Sequence, residues 1–165
     1  MYAREWSLAQ SNTYLRPKHN DIPQSPPILR DGTINCCTDA AWNSETRMAG
    51  LGWNFTDSKL TTNHSTVVPH VVSPLMGELL ALRDALLSAT QIGFRSITFH
   101  SDSSILIKAI KSKSQLLEIL GILFDIQACL PNFNFICFKC IPREANTVAD
   151  SIAKQALSGF IVTEF

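Results

Sequence analysis

The sequence carries no surplus of charge of either sign, with 14 basic side chains balanced by 14 acidic ones over 165 residues. Such balance removes any global electrostatic pull toward nucleic acid or an anionic membrane, so a polyanionic partner would need locally placed cations. Long apolar runs are missing too. The most apolar window, 116–130, is broken by Glu118 and Asp125 and falls short of the roughly 20 residues a membrane helix needs. No membrane partner is expected. The first twenty residues lack an apolar signal core. Arg4, Arg16 and Lys18 are basic, but Glu5 and the want of an amphipathic pattern argue against a transit peptide. The expectation is an intracellular protein of the nucleus or cytoplasm, not secreted.

Glycine is scarce, and Gly50-Leu-Gly52 lacks both the third glycine and the following helix that dinucleotide binding requires. The five cysteines are an odd number, and Cys36, Cys37 and Cys137 lie in apolar, strand-like runs. That suits buried thiols in a reducing compartment better than a disulfide framework. Cys137 and Cys140 have C-x-x-C spacing, but no second Cys or His pair completes a zinc site. On a strand those two thiols point to opposite faces. Internal repeats and low-complexity tracts are absent.

What is present is enough apolar residue, 45%, to bury the core of one domain. Four of the eight prolines (Pro17, Pro23, Pro26, Pro27) fall before residue 33, so 1–32 reads as an extended lead-in, 33–160 as the domain and 161–165 as a tail. Strands are expected at 34–42, 48–55 and 60–68, the first two joined by the polar turn 43–47. A helix should start at Pro74, repeat Leu75, Leu79, Leu82, Leu86 and Ala89 on one side, and stop at Gly93. Residues 95–101 alternate as a strand. Helices are expected at 103–111 and 115–130, a last strand at 133–141, and a final helix at 145–157. The order predicts an α/β fold: a five-stranded mixed sheet of three antiparallel strands, then two parallel ones, flanked by helices.

Four acids fall at telling places in this order. Asp39 lies within the first strand, Glu78 on the apolar side of the first helix, Asp102 at the end of the fourth strand, and Asp150 on the apolar side of the last helix. Open α/β sheets place ligands at the carboxyl ends of parallel strands. Carboxylates gathered there repel one another unless some are protonated or a divalent cation binds among them. Magnesium prefers oxygen ligands and completes its shell with waters and substrate phosphates. Two such ions can activate a water and stabilise the leaving oxygen of a phosphodiester. For Asp102 alone, followed by Ser103 and Ser104, helix capping is an equal reading.

"TDAAW", "GELLALRDAL", "FHSDSSILIKAI" and "IPREANTVADSIAKQAL" resemble the successive motifs of type 1 ribonuclease H domains, particularly the plant branch related to retrotransposon reverse transcriptases. The resemblance covers about residues 33–158. It implies the ribonuclease H fold and a magnesium-dependent endonuclease that cuts the RNA strand of RNA–DNA hybrids, leaving 3′-hydroxyl and 5′-phosphate ends. Two magnesium ions, for which Mn2+ can substitute, would be held by Asp39, Glu78, Asp102 and Asp150. Asp39 would bridge both, Glu78 and Asp102 would hold the one nearer the attacking water, and Asp150 would complete the other shell.

The loop histidine that many members carry before the last aspartate is missing. Arg143 stands in that loop and could meet a phosphate or pair with Glu144. Asn146 resembles a family asparagine four residues before the last aspartate. It could orient the loop near substrate or cap the last helix, the latter being the simpler reading. His100 shares strand parity with Asp102, with a structural hydrogen bond the simpler role. Lys108, Lys111 and Lys113 form a small positive patch, read either as a salt-sensitive phosphate contact or as a solvated helix face. Asn43 and Ser44 could touch 2′-hydroxyls across the minor groove of a hybrid. The expected partner is an RNA–DNA hybrid, bound by a monomer that is free-standing or part of a polyprotein. The competing reading is a catalytically weak nucleic-acid-binding or protein-interaction module that keeps the fold.

Overall fold

The structure, a computed structural model, describes residues 32–112 and 116–163, with side chains through residue 160. The lead-in expected at 1–32 therefore lies almost wholly outside the described residues, as do Lys113 and Gln115. Five strands form one sheet: β1 (Ile34–Trp42), β2 (Ala49–Thr56), β3 (Thr61–Val68), β4 (Ser96–Ser101) and β5 (Phe135–Cys140). Among the described residues four α-helices accompany them: α1 (Pro74–Ile92), α2 (Ser104–Lys111), α3 (Leu117–Cys129) and α4 (Thr147–Thr163). The strand order is β3-β2-β1-β4-β5. β1, β2 and β3 are antiparallel neighbours, while β4 runs parallel to both β1 and β5. The mixed sheet expected from the order of elements is the one observed.

Local chemistry sets the turns. After β1, Asn43 Oδ1 accepts the amides of Glu45 at 2.9 Å and Thr46 at 3.0 Å, and after β2, Asp57 Oδ1 accepts those of Lys59 at 2.7 Å and Leu60 at 2.8 Å. Both are side-chain turns that reverse the chain without using its ladder. Ser73 caps α1 through Met76 N at 3.2 Å, Pro74 occupies its first turn, and Gly93 ends it with φ 93°, a left-handed conformation that glycine adopts without steric cost. The last helix differs from expectation. It begins at Thr147 and continues to Thr163, past the expected end at Leu157 and into the residues expected as a tail. Ser158 and Gly159 weaken a helix without terminating it, and Gly159 has no left-handed φ.

The sheet is covered on both faces. α1 lies over Ala40 and Ala49, with α2 and α3 packed beside it, and this layer holds Leu79, Leu82, Leu86, Leu106, Ile110, Ile119 and Ile126 at 2% exposure or less. Each such burial contributes roughly 2 kcal/mol. α4 covers the opposite face of β2 and β1. Small residues allow this approach: a Cβ on Gly52 would lie 2.6 Å from Ala153 N and 2.7 Å from Ala149 O, and one on Gly50 would meet the Ala153 carbonyl and the Leu157 amide. The two glycines that fail as a dinucleotide loop are thus the seat of the last helix. Among the described helices, none is long and apolar enough to cross a membrane. All five cysteines are free, from fully buried Cys36 to exposed Cys140.

Candidate active site

The sheet splits where the acids lie. β1 pairs with β4 only over its first residues, the last pair being Cys37 with His100, yet it continues to Trp42 along β2. Asp39 is two residues past that last pair, and Asp102 two residues past His100, so parallel register brings the two level. Asp39 is 7% exposed, and its Oδ1 accepts the amide of Ala40 at 2.9 Å. Glu78 reaches the same point from the first turns of α1 and is in hydrogen-bonding contact with Asp39 and with the Ala40 amide. Asp150 arrives from α4, seated by Gly50 and Gly52, and also contacts Asp39. Asp39 is the hub of the four.

Electrostatics reflects the crowding. Burial first, with the charges of Asp102 and Asp150 adding to it, lifts Asp39 to about 6 against the opposing hydrogen bonds from Glu78 and Ala40. Glu78 is pushed further, to about 9, by burial and then by the charge and hydrogen bond of Asp39. Near neutral pH this pair shares a proton, which neutralises one of two mutually repelling carboxylates. Glu78 Oε2 is buried without a hydrogen-bond partner. Asp150 goes the other way. Lys154 donates to its Oδ2 at 2.8 Å and Arg143 Nη2 stands 4.0 Å from Oδ1, which hold its pKa below the ordinary value. Among the described residues, no three His, Cys, Asp or Glu side chains are drawn around one common point that would cage an ion. Magnesium does not require such a cage, since it commonly takes one or two carboxylates and completes its shell with water and phosphate oxygens.

Asp102 is not a helix cap. Ser103 Oγ caps α2 through Leu106 N at 3.1 Å, and Ser101 Oγ takes the amide of Ser103 at 3.1 Å, so the two serines satisfy the turn between them. The side chain of Asn146 does not cap the last helix, but it does hold the loop before it. Its side chain is 1% exposed, which removes it from direct substrate contact. Its Nδ2 donates to Thr38 O and to Asp102 Oδ1, each at 3.0 Å, and the first turn of α4 is closed by its backbone carbonyl instead, which accepts Asp150 N at 3.1 Å. Spacing shows an asparagine four residues before an acid. It does not show which way the side chain turns.

The remaining candidates are spread around this centre. Arg143 is exposed and leans toward Asp150, not toward Glu144. Asn43 spends its side-chain oxygen inside its turn, with Ser44 exposed at the tip. Lys108 is exposed on α2. Lys111 closes α2, and its charge reaches Cys137 on β5. His100 Nε2 meets Asn35 Oδ1 at 3.0 Å, and burial, then Lys139, lowers its pKa. It is a structural histidine. The glycine seat of α4 was missed by sequence reasoning. Its signal is Gly50 and Gly52 on one strand face against Ala149, Ala153 and Ala156 on one helix face.

Residues 37–156 match the family described as reverse transcriptase-like. The chain belongs to this family, and its fold is that of ribonuclease H. The ribonuclease H1 of the archaeon Halobacterium salinarum is 21% identical with a TM-score of 0.71, covering 78% of this chain and 99% of its own. The N-terminal ribonuclease H domain of a Mycobacterium tuberculosis protein is 17% identical with a TM-score of 0.71, covering 81% and 99%. A ribonuclease H1 isolated from compost, solved in complex with an RNA/DNA hybrid, is 20% identical with a TM-score of 0.69, covering 78% and 99%. Comparison with curated proteins gave no match.

Proposed function

We propose that this domain is a magnesium-dependent endonuclease that hydrolyses the RNA strand of RNA–DNA hybrids. The observation that carries the reading is the contact of Asp39 with both Glu78 and Asp150 at a strand end level with Asp102. The family match and the fold shared with a relative that binds a hybrid support it. Asp39, Glu78, Asp102 and Asp150 would hold two magnesium ions, or Mn2+ in their place. The donor set fits. It consists of carboxylate oxygens, which hard cations prefer, and Glu78 Oε2 is a buried acceptor that a cation would satisfy. When bound, such ions lower the pKa of an attacking water and neutralise charge on the phosphodiester.

In the reaction, a water oxygen adds to phosphorus and the bond from phosphorus to O3′ breaks. The displaced O3′ takes up a proton and the phosphate stays on the 5′ side. The chain's own part is positioning. Asp39 would serve both ions, Glu78 and Asp102 the one nearer the attacking water, and Asp150 the other. Arg143, exposed beside Asp150, would meet a backbone phosphate. Lys108 would add salt-sensitive affinity, and the turn at Asn43 and Ser44 would read 2′-hydroxyls. The plant, retrotransposon-related branch, a monomer that is free-standing or within a polyprotein, and an intracellular setting belong to the same proposal. The reverse transcriptase-like family and the five free thiols support it.

The test is cleavage of an end-labelled hybrid by the purified chain in Mg2+, beside single-stranded RNA and duplex DNA. Cleavage of the hybrid's RNA strand is expected, reduced at least about 100-fold by Asp39→Asn or Asp102→Asn in a folded protein. Cleavage that survives both substitutions refutes the assigned site. Hybrid binding without any cleavage would favour the binding-module reading.

A further inference from the structure

The structure assigns Asn146 the role of a positioning residue that fixes the carboxylate of Asp102 for its cation, an inference that rests on the nuclease reading above. β4 stops at Ser101, so the Thr38 carbonyl lies beyond the last pairing of β1 with β4. Asn146 fills that place. One amide hydrogen goes to Thr38 O and the other to Asp102 Oδ1, each at 3.0 Å, which uses the full donor capacity of the side chain. The amide cannot be turned over, because its oxygen would then face a carbonyl and a carboxylate, acceptors both. Asn146 Oδ1 itself is buried with no hydrogen-bond partner among the described residues, so the side chain is held through its two donated bonds.

The consequence is directional. Asp102 is partly exposed at a strand end, and a short carboxylate there would otherwise sample several rotamers. Held through Oδ1, it presents Oδ2 in one orientation. The same side chain ties the entry of α4 to β1, so the settings of Asp102 and Asp150 are linked through one residue four positions before Asp150. Groups that orient a metal ligand typically change metal affinity or activity 10- to 100-fold when removed.

The experiment uses the whole chain labelled with 15N. In the wild type, adding Mg2+ alone should shift the Asn146 side-chain amide signals, and the Asp102→Asn variant should abolish that response. In Asn146→Ala and Asn146→Ser, the half-saturating Mg2+ concentration read from backbone signals near Asp39 should rise about 10-fold, and kcat should fall about 10-fold while KM for the hybrid changes less than about twofold. Amide signals of Asn146 that ignore Mg2+ overturn the proposal, and this wild-type measurement decides the matter even if neither variant folds. Folded variants with wild-type Mg2+ half-saturation overturn it as well, as does a rise confined to KM. The two readings fail separately. Mg2+-responsive Asn146 signals without hybrid cleavage would sink the nuclease activity alone, whereas cleavage with unresponsive signals would sink the positioning role alone.

Discussion

Replacing Gly52 by alanine tests how the last acid is brought to the site. The added methyl would stand 2.6 Å from Ala153 N and 2.7 Å from Ala149 O, both backbone atoms of α4 that no side-chain rotation can move. Ordinary contact begins near 3.4 Å, so α4 must retreat by roughly 0.8 Å over the turn that carries Asp150. Overpacking of this kind costs about 1–3 kcal/mol, which lowers the melting temperature by about 2–12 °C for a chain of this size. The functional loss should exceed the loss of stability. A displacement near 1 Å at a reacting centre costs on the order of 100-fold in rate, so hybrid cleavage measured well below the melting transition should fall about 100-fold while circular dichroism stays native. Gly121→Ala is the control. Nothing lies within 4 Å of its added methyl, and on an exposed helical position alanine should stabilise by up to about 1 kcal/mol without touching activity. If Gly52→Ala melts and cleaves like the wild type, α4 is not seated as described and the account of Asp150 fails.

Two further outcomes follow from the charges. Asp39 and Glu78 have pKa values raised in the folded state, so without metal the folded form binds more protons than the unfolded chain. Their contribution is therefore favourable at low pH and is lost as pH rises from the ordinary carboxylate range through about 6 and then about 9. Urea unfolding in EDTA should show Glu78→Gln more stable than wild type by at least about 1 kcal/mol at pH 8 and nearly equal at pH 4. The same gap in Mg2+ as in EDTA would contradict the assignment of a cation to this pair. Lys154 competes with any cation for Asp150 through an exposed pair worth about 0.3–0.5 kcal/mol. Lys154→Gln should accordingly lower the half-saturating Mg2+ concentration about twofold, read by titration calorimetry, and an increase would assign the lysine to substrate.

Much of this molecule was legible along the chain because its rules are local. The apolar run of Ile34–Trp42 between turn residues, the three-and-four spacing of the leucines in α1, Pro74 at its start and Gly93 at its end each act within a few residues, and the strand and helix form where those signals place them. The four acids stood out for the same reason, since a charge on an apolar strand or helix face violates the local pattern around it. What tertiary structure alone decided was which groups those acids would touch. Ser103 took the cap that Asp102 could have filled. Asn146 turned inward to a carbonyl 108 residues away in sequence. Gly50 and Gly52, meaningless as a phosphate loop, became the bed of α4. These outcomes depend on close approach between elements remote in sequence, and no periodicity or capping rule within one element carries that information.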